Sequence, residues 1–254
     1  MSNVLLKVDG VSKAFSIPSV RRDTVRERVF GLLRPARVER LQVLDNVSFD
    51  VHQGETLAIM GRNGSGKSTL LRILSGIYAP DQGRVVAKAA ITPILELGVG
   101  WNPELDAVDN VFLIGSVMGL SLGEIRGSLD EILAFAGLER FANLKLKHYS
   151  SGMSARLAYS VAFRAVREVL VLDEIFSVGD AGFKARCEER FRHLHSLGHT
   201  IVIVSHDARI IRGYCERALL LEGGRIVRAG SPNDVSDAYL ELLTGAGRST
   251  VGVA

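Results

Sequence analysis

Residues Thr56–Leu74 read TLAIMGRNGSGKSTLLRIL: an apolar run, a glycine-rich turn, then the opening of a helix. Within this stretch Gly61–Ser68 has the spacing G-x-x-x-x-G-K-S. The pattern carries weight because it directly follows Leu57-Ala58-Ile59-Met60 and precedes residues with helical apolar periodicity. Gly61, Gly64 and Gly66 let successive backbone N–H groups turn inward, so the loop Gly61-Arg62-Asn63-Gly64-Ser65-Gly66 becomes an anion nest at a helix N-terminus. A triphosphate fits such a nest. Lys67 would reach the β- and γ-phosphates, Ser68 would supply a hydroxyl ligand for Mg²⁺, and Thr69 would lie near the α-phosphate.

Outward from this loop, the 254 residues alternate apolar strands with helices, which predicts an α/β fold with a mostly parallel sheet. Expected strands are Val4–Val8, Val43–Val51, short ones near Val85 and Ile94, Val169–Leu172, Thr200–Val204, and a hairpin over Ala218–Ala229 turning at Gly223-Gly224. Between about residues 99 and 166 the texture is helical. Ser121 and Glu124 form a capping box ahead of Ile125, Leu129, Ile132, Leu133 and Ala136, which share one face. Tyr149-Ser150-Ser151-Gly152-Met153 precedes a helix predicted over Ser154–Val166 and forms a second phosphate-binding end. One nucleotide seldom needs two such ends in one domain, so this one is expected to serve another copy of the chain, although Ser-Ser-Gly before a helix is also an ordinary cap. A last helix is expected over Pro232–Leu243.

Composition narrows the class. The 47 % hydrophobic content suits a buried core, and net charge +3 with pI near 9.0 describes a mildly basic surface. The opening residues lack a signal-peptide pattern and no apolar run reaches a membrane span, so a cytoplasmic location is expected. Cys187 and Cys215 read as reduced thiols. His193, His195 and His199 are spaced so that a shared metal is not expected.

Two strand ends carry further polar groups. Val169–Leu172 runs into Asp173 and Glu174, at the edge where parallel sheets place their ligands. Asp173 would reach Mg²⁺, and Glu174 would polarise the attacking water as general base. Thr200–Val204 runs into Ser205-His206-Asp207, and His206 can donate to a γ-phosphate oxygen.

Taken in order, GRNGSGKS, YSSGM, VLVLDE, SVGD and SH resemble the phosphate loop, signature, second carboxylate strand, D-loop and switch histidine of ATP-binding cassette ATPases. The resemblance spans nearly the whole chain and implies one nucleotide-binding domain over residues 1–254, with a helical subdomain and an antiparallel β subdomain. It implies MgATP held by Lys67, Ser68 and Asp173, with Glu174 as catalytic base and His206 as γ-phosphate sensor. Ser150, Ser151 and Gly152 would close on nucleotide held by a second copy, and Asp180 would lie at the dimer seam. Phe15, in VSKAF, occupies the place where the family stacks an aromatic on adenine; it can equally be a packing residue at a strand end. The sequence departs from the family in its signature, with Ser151 and Met153 for the usual glycine and glutamine. It also lacks the glutamine that coordinates Mg²⁺: Glu96 is the nearest polar substitute, while an ungapped alignment puts Leu97 there.

Within the family the chain is most similar to ATPase subunits of bacterial exporters for O-antigen, teichoic acid and capsule. The stretches that carry this are the insert after VSKAF, LELGVGWNPELDAVDNV, and LDEIFSVGDAGFKARC. The implied partners are a polytopic membrane subunit and a second copy of the chain, with a lipid-linked polysaccharide met indirectly. Nucleic acid is not among them, since soluble relatives acting on DNA or the ribosome carry a long coiled coil or two cassettes. The implied location is the cytoplasmic face of the inner membrane, and no additional C-terminal carbohydrate-binding domain is expected. The insert, Ser16–Gln42, holds seven arginines against three acids, leaving +4, and predicts an amphipathic helix capped by Asp23 with Val25, Val29, Leu32 and Leu33 on one face. At about 1 kcal/mol per basic residue near an anionic leaflet, that charge supplies about 4 kcal/mol, or millimolar affinity. The apolar face is therefore expected to pack on the membrane partner, with the arginines meeting phosphates.

Overall fold

A computed structural model describes residues 3–18, 38–95, 100–173 and 179–244. Among them are strands β1 (Val4–Pro18), β2 (Val38–His52), β3 (Thr56–Met60), β4 (Gln82–Ala87), β5 (Ile91–Ile94), β6 (Val169–Asp173), β7 (Thr200–Val204), β8 (Arg217–Glu222) and β9 (Arg225–Gly230). They form a six-stranded sheet in the order β5-β6-β7-β3-β8-β9 and a three-stranded sheet in the order β2-β1-β4. In the larger sheet β5, β6, β7, β3 and β8 run parallel, and β9 returns antiparallel to β8.

Burial on both faces explains why TLAIM, VLVL and TIVIV are continuous apolar runs instead of alternating ones. Alternate residues still go to opposite sides. Leu57 and Ile59 face a core shared with the antiparallel sheet, through Leu6, Val8, Leu44 and Val51. Ala58 and Met60 face a second core with Tyr159, Phe163, Phe183 and Phe191. Helix α1 (Lys67–Leu74) buries Leu70, Leu71, Ile73 and Leu74 in the first of these, so the phosphate loop is clamped between the two sheets.

The helical region comprises α2 (Ala107–Val117), α3 (Leu122–Ala136) and α4 (Ser151–Arg164), gathered on an apolar cluster that includes Val111, Ile125, Ile132, Leu133 and Leu157. The capping box forms: Ser121 N donates to Glu124 at 2.8 Å, and Glu124 N donates to Ser121 Oγ at 3.3 Å. The fully buried Asn110 pins the loop ahead of α2, accepting from Asn102 N at 2.8 Å and donating to the carbonyls of Asn102 and Asp106. Then come α5 (Ala181–Ser196), α6 (Ala208–Tyr214) and α7 (Pro232–Thr244).

Two boundaries correct the sequence reading. The signature helix starts at Ser151, not Ser154, because Ser150 caps it by accepting from Met153 N at 3.2 Å; the small polar residues read as loop are its first turn. The ends of the insert are strand, since Phe15 pairs with Leu41, Ser16 with Arg40, Ile17 with Glu39 and Pro18 with Val38. A ribbon extending beyond the core has no buried face to impose apolar alternation, so its pairing left no periodic trace. The predicted helix capped by Asp23 and ending before Pro35 lies outside the described residues.

Candidate functional site

The carboxyl edge of the parallel sheet brings the predicted residues together: β3 leads into the phosphate loop, β6 ends on Asp173 and β7 leads to Ser205-His206. The loop is held by close backbone approaches. A Cβ at Gly61 would sit 2.3 Å from Leu221 O and 2.5 Å from Ser65 Oγ; one at Gly66, where φ is +108°, would sit 2.7 Å from Val43 O. Glycine is the residue that fits both places. Lys67 Nζ arches back to donate to Gly61 O at 2.7 Å and Arg62 O at 2.9 Å, which sets its ammonium over the nest. Ser65 is 4 % exposed, and its Oγ has no hydrogen-bond partner among the described residues. That buried hydroxyl and the glycine cradle fit a bound phosphate chain.

Ser68 Oγ donates to Asp173 Oδ2 at 3.5 Å. A hydroxyl and a carboxylate side by side are hard oxygen donors of the kind Mg²⁺ takes when it is held by few protein groups and by phosphate oxygens. Both residues line a cleft of about 630 Å³ with Asn63, Lys67 and Thr69, closed along one side by Leu41 and Val43 of β2. A second cleft of about 730 Å³ lies across the loop; Arg62, Lys67 and His206 line it with Glu222 and Tyr239. The backbone around His206 is tied on both sides: Asp207 N donates to Ser205 Oγ at 3.0 Å, and Asp207 accepts from Arg209 N at 2.9 Å as the cap of α6. The Arg209 guanidinium holds the Asp207 carboxyl below the usual carboxylate range.

Glu174 and Glu96 lie outside the described residues, although Asp173 and Leu95, their immediate neighbours in the chain, line the first cleft. Ser150, Ser151 and Gly152 are at the exposed tip of α4 and belong to the lining of neither cleft. Asp180, the cap of α5, accepts from Phe183 N at 2.9 Å and faces Arg156 of α4 at 3.5 Å, which links it to the signature helix. The Phe183 amide, with Arg156 and Arg186 nearby, lowers the Asp180 pKa against the opposing effect of desolvation. Phe15 packs edge-on against Tyr78, ring centroids 5.8 Å apart, beneath Lys13 Nζ, and does not line either cleft.

Several residues at the site were not legible as such. Leu41 and Val43 lay in and beside a stretch read as an insert. Gly224 lay in a turn read only as a hairpin tip, yet its N–H donates to Ser65 O at 3.1 Å and its carbonyl accepts from Asp45 N at 2.9 Å. The Gly223-Gly224 pair was the available signal. Both cysteines are free, and burial pushes each thiol up to about 12. His195 faces Glu216 at 3.1 Å.

Among the described residues no helix is long and apolar enough to cross a membrane. Residues 44–177 match the ABC transporter family. The ABC transporter protein AbcA of Aeromonas salmonicida is 39 % identical over 96 % of this chain and 78 % of its own length. The O-antigen export system ATP-binding protein RfbB of Klebsiella pneumoniae is 34 % identical over 85 % of this chain and 87 % of its own. The teichoic acids export ATP-binding protein TagH of Listeria monocytogenes is 32 % identical over 95 % and 71 %. Among solved structures, a dimeric post-hydrolysis state of an ATP-binding cassette bound to ADP and Pi superposes with a TM-score of 0.71, at 25 % identity, over 89 % of this chain and 98 % of that one. With the phosphate-loop geometry, these similarities show that the chain belongs to the ABC transporter family, as an ATP-binding ATPase subunit.

Proposed function

We propose that this chain forms a head-to-tail homodimer on ATP and powers a separate polytopic membrane subunit, which exports a lipid-linked polysaccharide from the cytoplasmic face of the inner membrane. The observation that carries this reading is the similarity, over 85–95 % of the chain, to ATP-binding proteins of O-antigen and teichoic acid export. In this reading Lys67 and the loop amides bind the β- and γ-phosphates, and Ser68 and Asp173 hold Mg²⁺. When bound, Mg²⁺ neutralises charge that develops on the phosphate oxygens. Glu174 accepts the proton of the attacking water, and His206 donates to the γ-phosphate from the second cleft. Ser150 and Gly152 close on the partner's nucleotide; their absence from the lining of this chain's own clefts supports a role in trans.

The test is deletion of the gene and complementation in the native cell. Loss of surface polysaccharide, with lipid-linked polymer accumulating inside, should be reversed by the wild-type chain and not by Glu174→Gln. Unchanged surface polysaccharide in the deletion strain would refute the export reading.

A further inference from the structure

A small cavity of about 140 Å³, sharing no lining residue with either cleft, opens between α3, α4 and α5. It has room for about four or five waters and is too small for a nucleotide. Its floor is apolar: Ile132 and Phe163 are each 3 % exposed, and Phe135 meets Phe163 edge-on, ring centroids 5.8 Å apart. Its rim is basic, with Arg164 at the end of α4 and Arg190 of α5 set against the carboxylate of Glu131. Two guanidiniums against one carboxylate leave a positive charge. Arg190 Nη2 donates to Phe163 O at 3.3 Å, and neither guanidinium has a salt-bridge partner among the described residues. Burial and the Arg164 charge pull the Arg190 pKa down, while Glu131 opposes them. One turn earlier on α5, Arg186 lies over the Phe183 ring at 5.6 Å, and its buried Nε also lacks a hydrogen-bond partner among the described residues. This seam therefore has more guanidinium donors than oxygen acceptors.

We propose that this cavity binds a short organic carboxylate, its apolar stem against Ile132, Phe135 and Phe163 and its oxygens between Arg164 and Arg190. Guanidinium donors match carboxylate and phosphate alike. The apolar floor decides between them, because it gains from a stem of about three to five carbons and offers nothing to a hydrated inorganic ion. Arg156 of α4 and Asp180 at the cap of α5 already join these helices nearer their amino ends. A bound acid adds a second tie farther along both, and so bears on the helices that begin at the signature and at Asp180.

The test titrates the full chain with isovalerate, isovaleramide or inorganic phosphate and follows the Ile132 methyl signal by NMR, assigned by its loss in Ile132→Val. Isovalerate should shift that signal saturably. The amide keeps the stem without the charge, phosphate keeps the charge without the stem, and neither should reproduce the shift. Arg164→Gln, at an exposed position, should weaken isovalerate binding about tenfold, and Arg190→Gln should do so at least as strongly. A signal unmoved by isovalerate up to about 100 mM would overturn the proposal. So would equal binding of acid and amide, or undiminished affinity in Arg164→Gln. Phosphate binding as tight as that of isovalerate would overturn it too, by showing an oxyanion site in which the apolar floor plays no part.

Discussion

In the proposed mechanism Lys67 serves binding and Glu174 serves chemistry, and variants separate the two. Lys67 is folded onto Gly61 O and Arg62 O, so its ammonium already sits over the nest that would receive the phosphates. Lys67→Ala should therefore weaken ATP binding, read by calorimetry; wild-type affinity in that variant would contradict its role. Glu174 follows the strand end that brings Asp173 to Ser68. Glu174→Gln keeps the nest and removes the proton acceptor, so ATP should bind as before while turnover in the reconstituted complex falls by about 10²–10⁴-fold. Undiminished turnover would exclude Glu174 as the base. The two variants should thus fail in different assays.

Elements transmit constraint to the site through contacts distant in sequence. The β8–β9 turn touches the loop through Gly224 N and Ser65 O, and touches β2 through Gly224 O and Asp45 N; Arg225 Nε adds a bond to Asp45 at 2.8 Å. Gly224 has φ +78°, and a Cβ there would lie 2.5 Å from Val43 O. Gly224→Ala should cost about 1–3 kcal/mol in urea unfolding and also lower ATP affinity, since the loop loses its brace. Full ATP affinity in a destabilised variant would limit the turn to a structural role.

The two sheets are tied by a second element contact. Arg217 at the start of β8 donates to Glu55 at 2.7 Å and also to the Asp50 carbonyl of β2. Burial raises the Glu55 pKa, but the bonds from Arg217 and His52 together outweigh it, and the net value falls below the usual 4.5. A carboxyl with a depressed folded value stabilises fully above its unfolded value and loses that stabilisation as pH falls through the folded one. Wild-type stability should therefore decline below about pH 4.5, and Arg217→Ala should be less stable at neutral pH with a shallower acid decline. Parallel pH dependence of the two urea midpoints would show that the pair is not responsible.

At the scale of the molecule, the signature and the phosphate loop belong to one chain, yet the clefts beside the loop are not lined by Ser150, Ser151 or Gly152. A head-to-tail pair makes a specific prediction. Ser150→Arg and Lys67→Ala subunits, each nearly inactive alone, should recover ATPase activity when mixed, because both lesions can fall in one composite site and leave the other whole. No recovery at any mixing ratio would count against sites shared between chains.

What the sequence determined by itself was encoded by local spacing. The phosphate loop follows from glycine and lysine positions, the buried parallel strands from unbroken apolar runs, and the Ser121–Glu124 cap from a three-residue offset. Asp173 and His206 were legible by place, because one ends such a strand and the other lies two residues beyond one. Only the tertiary structure decided what meets across the chain. It set the β8–β9 turn against Ser65, turned Phe15 toward Tyr78, and made Leu41 a wall of the cleft. The physical reason is that these contacts join segments from different sheets. Their partners are fixed by packing and by close backbone approach at glycine, and neither leaves a period in the sequence.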